Sequence, residues 1–443
     1  MSSYSVNATQ VDDIVTTVQF AKKHNLKFRI KNTGHDYTGR SAGEGSFALW
    51  TRHMKGIEYL ESFKACPDSN TENVLAVSPA TLVEELYAVG AQHGVVTTGG
   101  FAPTVGAGGG FPLGGGTGPL GNYLGLAVDN IVQFEVVTAD GSKGIVNECT
   151  NIDLFWALRG GGGAFAVTTK VYYKTYPAFE LVQTALGIVQ CATRESWVEL
   201  ITRMVNAQGS LRKEGITGVW QSDRGNLRVP MIFIRPSVNG SAEADSGFRD
   251  SLAQFQNVTG CGGTLNLQKF NGPTSWNDAY QKHLMILLSP SLPTGINVGT
   301  TSRLISNDLI DDKAKLQKVI EYIINLDPGV SFLWQNAVGD ASSKISTEAT
   351  AVHPAWRNAF AFFDVSVRGP WSGMIGAQST LLREIQDDAD EAFGTAIYYN
   401  EMSMLEKDWQ NQAFGSNYLR LLETKEKYDP TGVFSCRRCV GSE

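Results

Sequence analysis

The chain has 443 residues, 42 % hydrophobic and 18 % charged, enough for about two or three domains with full cores and too long for a disulfide-stapled mini-scaffold. No uncharged apolar run approaches the roughly 18 residues of a membrane span, and 37 basic against 44 acidic residues, with no Lys/Arg cluster to follow a phosphate backbone, argue against membrane and nucleic-acid partners. Glycine is the outlier, 47 residues where about 7 % is usual, and it is concentrated in a few stretches.

Residues 4–31 read as strand, helix, strand. Thr9 and Asp12 make a capping-box pattern, Val11, Ile14, Val15 and Val18 share one helical face, and KFRIK alternates. The unit ends in the polar glycine loop NTGHDYTGRSAGEGS. Residues 73–100 repeat the arrangement, with NVLAVSP as strand, TLVEELYAVGAQHG as helix and VVTTGG as strand and glycine turn. Two β-α-β units, each closed by a glycine loop, predict a ligand held between them. His24 and His93 end the two helices, where the C-terminal dipole favours an imidazole, so they read as caps.

From Gly99 onward the run GGFAPTVGAGGGFPLGGGTGPLG is almost all backbone. Ordering so much bare main chain is entropically costly, which favours a ligand cradle over a flexible linker. Successive N–H groups form anion nests suited to a pyrophosphate, and absent side chains let a flat ring lie against the chain. A strand, IVQFEVVTADG, follows with a turn at Asp140-Gly141; NIDLFWALRGGGGAFAVTTKVYYKTYP then reads as helix, second glycine loop and strand. Beyond Pro177 the glycines thin out. Amphipathic helices over 311–326 and 379–393 alternate with strands such as VPMIFIRP and FAFFDVSVRG, the pattern of a separate α+β domain. The last stretch carries a helix from about Gly415, stopped by Asp429-Pro430.

Other patterns lack the context their chemistry needs. Gly116-Thr-Gly-Pro-Leu-Gly121 has no strand before it and no helix of sufficient length after it, so it is not a dinucleotide fingerprint. Gly39-Arg-Ser-Ala-Gly43 is flanked by loop, so it is not a nucleophile elbow, although His283 and His353 could complete a triad on paper. The six cysteines (66, 149, 191, 261, 436, 439) are too dilute for a disulfide framework and are not grouped for zinc. Cys436-Arg-Arg-Cys439 reads as a structural disulfide or free thiols in preference to a redox pair. Asn7, Asn239 and Asn257 head glycan sequons that fit a secreted glycoprotein. MSSYSVNATQVDD has neither region of a signal peptide, so a removed leader is expected.

The segments RIKNTGHDYTGRS, APTVGAGGGFPLGGGTG, DLFWALRGGGGAFAVTT and GSNYLRLLETKEKYDP together resemble the vanillyl-alcohol-oxidase superfamily of FAD oxidoreductases, within it the berberine-bridge-type oxidases. NTGHDYTGRSAGEGSFALW is similar to fungal secreted members described as isoamyl alcohol oxidase-like. The resemblance implies an α+β fold: a two-subdomain FAD-binding PCMH-type module (residues 1–178), an inserted substrate domain of antiparallel sheet plus helices (179–395), and a C-terminal segment (396–443) returning to the FAD domain. It implies that His35 is joined covalently to the flavin 8α-methyl, a neutral imidazole being a competent nucleophile there. Around it the stretch from Arg29 to Arg40, with Asn32, Thr33, Gly34, Asp36 and Tyr37, would supply main-chain N–H groups for the pyrophosphate, and Ser41 would also bind the cofactor. Thr104, Val105, Gly106, Gly109, Gly110, Gly114, Gly115, Gly116 and Thr117 would line ring and phosphates, and Asn417 and Tyr418 would lie beside the flavin. Many relatives place a second covalent link on a Cys before Pro-Thr-Val-Gly. Ala102 stands there in this chain, which predicts a single link and a more open site.

Tyr398-Tyr-Asn-Glu401 resembles the family's Tyr-x-Asn-Tyr strand, putting Tyr398 at the base position and Glu401 where the second Tyr would be. A tyrosine base at neutral pH needs a cationic neighbour, Arg303 or Arg357. The implied reaction is hydride transfer from an alcohol, sugar or secondary metabolite to flavin N5, with reoxidation by oxygen giving hydrogen peroxide. A dehydrogenase, an oxidative cyclase and a non-catalytic flavin-binding protein are the alternatives. The implied partners are a small-molecule substrate and oxygen, with no metal, for a monomer.

Overall fold

The computed structural model describes residues 2–70, 72–237, 243–285, 296–370 and 376–442. The first unit is β1 (Tyr4–Asn7), a helix over Val11–Lys23, β2 (Phe28–Lys31) and β3 (Phe47–Trp50), forming a parallel sheet of order β1-β3-β2. The helix buries Ile14, Val18 and Ala21 against Phe28 and Leu49. Gln10 is its N-cap, so Asp13, not Asp12, closes the first turn by accepting the N–H groups of Thr9 at 2.8 Å and Gln10 at 3.2 Å. His24 and His93 are the C-caps of their helices.

The second unit departs from β-α-β. β4 (Ile57–Phe63) and β5 (Glu72–Val77) are followed by the helix Val83–Gln92, but β6 (Val95–Val96) is only two residues long and never pairs with β5. Instead β5 lies in a five-stranded antiparallel sheet with β7 (Ile131–Val137), β8 (Lys143–Asn147) and β9 (Val167–Lys174), in the order β4-β5-β9-β7-β8. β6 pairs antiparallel with β10 (Tyr176–Pro177). The residues after β6 are taken by other bonds: Thr97 donates to the Lys174 carbonyl at 2.7 Å and the Tyr87 hydroxyl donates to Gly100 at 3.2 Å.

Residues 181–370 build one eight-stranded sheet from β11 (Leu181–Cys191), β12 (Thr217–Asp223), β13 (Arg228–Ser237), β14 (Cys261–Gly262), β15 (Leu265–Asn271), β16 (Ile296–Ser306), β17 (Ser331–Asn336) and β18 (Ala359–Pro370). Its path is β14-β11-β13-β12-β17-β18-β16, with β15 also on β11, and every pairing is antiparallel. Period-two alternation divides the two faces. Trp220, Phe332, Trp334, Phe363 and Val365 share a core with the helices Arg194–Asn206, Lys313–Asn325 and Gly376–Phe393. Gln221, Leu333, Gln335, Asp364, Ser366 and Arg368 stand at the alternate positions.

The chain then returns to the five-stranded sheet. Ile397, Tyr399, Met402, Trp409, Phe414 and Leu421 enter the core of Leu75, Val77, Phe134 and Trp156. The last helix, Tyr418–Tyr428, is anchored by a buried ion pair between Lys425 and Asp429. The Lys425 ammonium also donates to the carbonyls of Ala164 at 2.7 Å and Phe434 at 3.2 Å, while the Asp429 carboxylate accepts the N–H groups of Val433 and Phe434, both at 2.8 Å.

All six cysteines pair, as Cys66–Cys149, Cys191–Cys261 and Cys436–Cys439: more pairing than their dilution suggests, with Cys436–Cys439 the structural disulfide that is one of its two readings. Large sequence gaps, 83 and 70 residues in the first two, hide pairs that the sheets bring together. Asn7 ends β1 and Asn257 sits in a turn at φ 56°, both exposed; the Asn239 sequon lies outside the described residues. No helix among the described residues is long and apolar enough to cross a membrane.

Candidate active site

A cavity of about 490 Å³ lies between the first glycine loop, the glycine-rich run, the polar face of the eight-stranded sheet and the returning tail. That is within the usual range for a small-molecule site. Of the expected ligand-binding residues, Arg29, Asn32, Thr33, Gly34, His35, Asp36, Tyr37, Arg40, Ser41, Val105, Gly106, Gly109, Gly110 and Thr117 line it.

The first loop is shaped by its own side chains. Asp36 accepts the N–H and hydroxyl of Thr38 at 3.1 and 2.7 Å and the N–H of Ser41 at 2.9 Å, and Gly34 takes φ +90°. Arg29 donates to the Ser435 carbonyl at 2.5 Å. Arg40 donates to the Tyr399 carbonyl at 3.2 Å and stacks its guanidinium 3.8 Å over the Tyr399 ring. The glycine run is tightly held: a Cβ on Gly118 would collide with the Gly99 carbonyl.

Gly114, Gly115 and Gly116 correct the cradle reading. They stand behind the wall, Gly114 against Asn400 and Gly116 against Ala127 and Phe111. Their lack of side chains serves close packing, of the tail at Gly114 and Gly115 and of the run itself and its following turn at Gly116. Asn417 and Tyr418 are also displaced from their expected place. Asn417 donates to the Val352 carbonyl at 2.8 Å, and Tyr418 packs on Trp409 and Phe414, away from the cavity wall.

FAD fits these residues. The buried Asn32 Oδ1 and Arg40 Nε, both on cavity-lining side chains, have no protein partner, and two guanidinium groups suit a pyrophosphate. Gly106 and Gly109 lie directly against the Asn32 amide, leaving bare backbone at the wall. His35 is half-buried at the same wall, its Nε2 2.7 Å from the Thr104 hydroxyl, and burial lowers its pKa, so the ring is neutral at pH 7.

The YYNE segment is not a strand. Tyr398 is the N-cap of a single 3₁₀ turn, Tyr399–Glu401, closed by the Glu401 N–H donating to the Tyr398 carbonyl at 3.0 Å. A strand would put residues three apart on opposite faces, whereas a 3₁₀ turn eclipses them. Tyr398 and Glu401 therefore both line the cavity. The Tyr398 hydroxyl accepts from the Asn400 amide at 2.8 Å and is reached by the main-chain N–H groups of Gly116 and Thr117, but burial and the nearby Glu401 drive its pKa upward. Among the described residues neither expected cation offsets this. Arg303 is occupied by Asp390 and Glu406, and Arg357 by Asp129, Ser342 and Thr350.

Sequence reasoning missed Asp364. It is 5 % exposed on β18, and its carboxyl meets that of Glu401. Burial raises both pKa values, and the more buried Asp364 keeps its proton, which leaves the charge on the Glu401 carboxylate beside it. The Gln335 amide donates to the second Asp364 oxygen, Oδ2, at 2.7 Å. The available signal was a lone acid at an alternate position of an apolar strand.

A folded-state pKa raised above the unfolded value favours the folded state fully below the unfolded value of 3.8 and loses that stability as pH rises through the raised value. Asp364→Asn, which keeps an acceptor for Gln335, should therefore melt higher than the parent at pH 7, with the gain vanishing towards pH 3.8. Equal melting temperatures at both pH values would count against a buried, proton-retaining Asp364.

A family model described as FAD binding domain matches residues 2–143, and one described as berberine and berberine like matches residues 397–440. The chain is 34 % identical to an uncharacterized FAD-linked oxidoreductase of Arthroderma benhamiae, over 99 % of this chain and 77 % of that one. It is 31 % identical to the VAO-type flavoprotein oxidase VAO615 of Thermothelomyces thermophilus, over 100 % of this chain and 76 % of that one. The crystal structure of VAO-type flavoprotein MtVAO615 from Myceliophthora thermophila superimposes with a TM-score of 0.84 at 28 % identity, covering 99 % of this chain and 79 % of that chain. With an FAD-fitting cleft and both family signatures in place, the chain belongs to the VAO-type, berberine-bridge-like FAD-linked oxidoreductases.

Proposed function

We propose that the protein is an FAD-dependent oxidase of an alcohol, sugar or secondary metabolite, with His35 as the single covalent attachment point and Glu401 as the proton acceptor. The observation that carries this reading is Glu401 on the wall of the same cavity as His35, with the buried carboxyl of Asp364 behind it. Bound FAD supplies the hydride acceptor, which the protein cannot. Oxidising an alcohol also requires a base for the hydroxyl proton. Glu401 is left as the anion because Asp364 keeps its proton, and Gln335 fixes Asp364 in turn. Tyr398, anchored through Asn400, serves as a hydrogen-bonding wall beside it. Arg29 and Arg40, both on the cavity wall, would hold the pyrophosphate. Phe101, Val219 and Leu333 exclude water from the substrate side.

Ala102 lines the cavity where a second link would need a sulfur. Acid-precipitated protein should accordingly stay yellow, His35→Ala protein should release its flavin on precipitation, and no flavin should travel with a Cys peptide. Secretion fits the three disulfides and the exposed sequons at Asn7 and Asn257. The deciding experiment is an anaerobic panel of alcohols, oligosaccharides and phenolic metabolites read by bleaching of flavin absorbance, then admission of air with peroxide assayed. A panel in which nothing bleaches the flavin, or bleaching without peroxide on reoxidation, would defeat the oxidase reading.

A further inference from the structure

The hydrogen bond to His35 comes from the glycine-rich run, at an exposed residue between the cavity-lining Ala102 and Val105. Thr104 follows Ala102-Pro103, and its stretch is pinned by main-chain bonds to the helix Val83–Gln92 and the residues just before it: the Val83 N–H donates to the Val105 carbonyl at 3.0 Å, the Glu84 N–H to Pro103 at 3.2 Å, and the Ala107 N–H to Thr81 at 2.7 Å. The hydroxyl that meets the imidazole is therefore on a rigid support. The neighbouring carboxylate does not compete, because both oxygens of Asp36 are taken by Thr38 and Ser41. Among the described residues, Nδ1 of His35 has no hydrogen-bond partner, while Nε2 lies 2.7 Å from Thr104 Oγ1.

A neutral imidazole carries its proton on one nitrogen and its nucleophilic lone pair on the other. We propose that Thr104 is a positioning residue for flavin attachment: by accepting a hydrogen bond from Nε2–H of His35, it leaves the lone pair on Nδ1 and makes Nδ1 the nitrogen that bonds the flavin. This rests on the covalent attachment proposed above. In the step, the Nδ1–C8α bond forms and one C8α–H bond breaks. The Nε2 proton leaves through the Thr104 hydroxyl, which is exposed, to water. The two electrons released reduce the flavin ring, which takes up two protons, and dioxygen restores it while being reduced to hydrogen peroxide. The lowered pKa of His35 adds that the imidazole begins neutral.

Thr104→Val removes the acceptor at nearly constant volume, and Thr104→Ser restores it. Each protein is made in flavin-poor cells and incubated with FAD in air. Total bound flavin is measured by absorbance, the covalent fraction by acid precipitation, and the linked nitrogen by NMR of the flavin peptide. Thr104→Val should bind FAD as the parent does but attach it about tenfold more slowly, with part of the product linked through Nε2. Thr104→Ser should restore both rate and position. An unchanged rate with all product at Nδ1 in Thr104→Val overturns the role of Thr104 and leaves covalent attachment standing. A parent protein linked through Nε2 also overturns it. A parent that releases all its flavin in acid overturns the covalent reading and the proposal together.

Discussion

Glu401→Gln is expected to slow anaerobic flavin reduction by substrate about 10²- to 10⁴-fold, or roughly 3 to 5 kcal/mol of barrier, the usual share of general base catalysis. The amide keeps the shape of the side chain, so substrate binding should change far less than the rate. Tyr398→Phe is the matched control. Its hydroxyl accepts from Asn400 and sits beside an anion, with a pKa driven upward, so losing it removes a hydrogen bond and no base. A loss within about tenfold is expected there. The pH profile gives an independent check. A base works only when deprotonated, so kcat/KM should fall as pH falls through the Glu401 pKa, and burial places that limb above the ordinary glutamate value of 4.5. If Tyr398→Phe stalls reduction while Glu401→Gln reacts like the parent, the assignment is reversed.

Asp429→Ala should destabilise the protein by about 3 to 5 kcal/mol, the usual effect of stranding one member of a buried ion pair. Lys425 would keep the Ala164 and Phe434 carbonyls but lose its counter-charge, and the N–H groups of Val433 and Phe434 would lose their acceptor. Urea or thermal unfolding measures it. Pairing Lys425→Met with Asp429→Leu should recover most of the loss, because it removes the orphaned charge. A single-variant loss below about 1 kcal/mol would mean that water reaches Lys425.

The parts of the site legible in the sequence were those where backbone chemistry dictates residue type. Glycines at Gly34 and along 106–118, polar turn formers in the first loop and the acid-Pro stop at Asp429 are local demands, readable in a window of a few residues. What failed depended on long-range partners. The VV of β6 looks like any short strand, and its pairing with Tyr176–Pro177 instead of β5 is decided 80 residues later. YYNE has strand composition, yet the pull of the Asn400 amide on the Phe111 carbonyl at 3.0 Å and on Tyr398 curls it into a 3₁₀ turn. That curl changes which residue faces the substrate. Asp364 gains its meaning only from Glu401, 37 positions along the chain and on a different element. Gly114 to Gly116 carried the correct composition for a cradle, but they pack against side chains from elsewhere in the chain, Asn400 and Tyr398 of the tail, Val352, Ala127 and Phe111.

The cavity wall joins residues far apart in the order of synthesis: Arg29 meets Ser435 across 406 positions, and Arg40 meets Tyr399 across 359. On the ribosome the first glycine loop emerges early and waits. At roughly 5–20 residues per second, tens of seconds pass before its partners in the tail are made. Until then Arg29 on β2 and Arg40 in the first glycine loop have no far wall, and the eight-stranded sheet has time to fold before it arrives. A nonsense mutation just before Tyr398 would thus yield a polypeptide with every residue of the first glycine loop and of the glycine-rich run, and half a grip on its nucleotide.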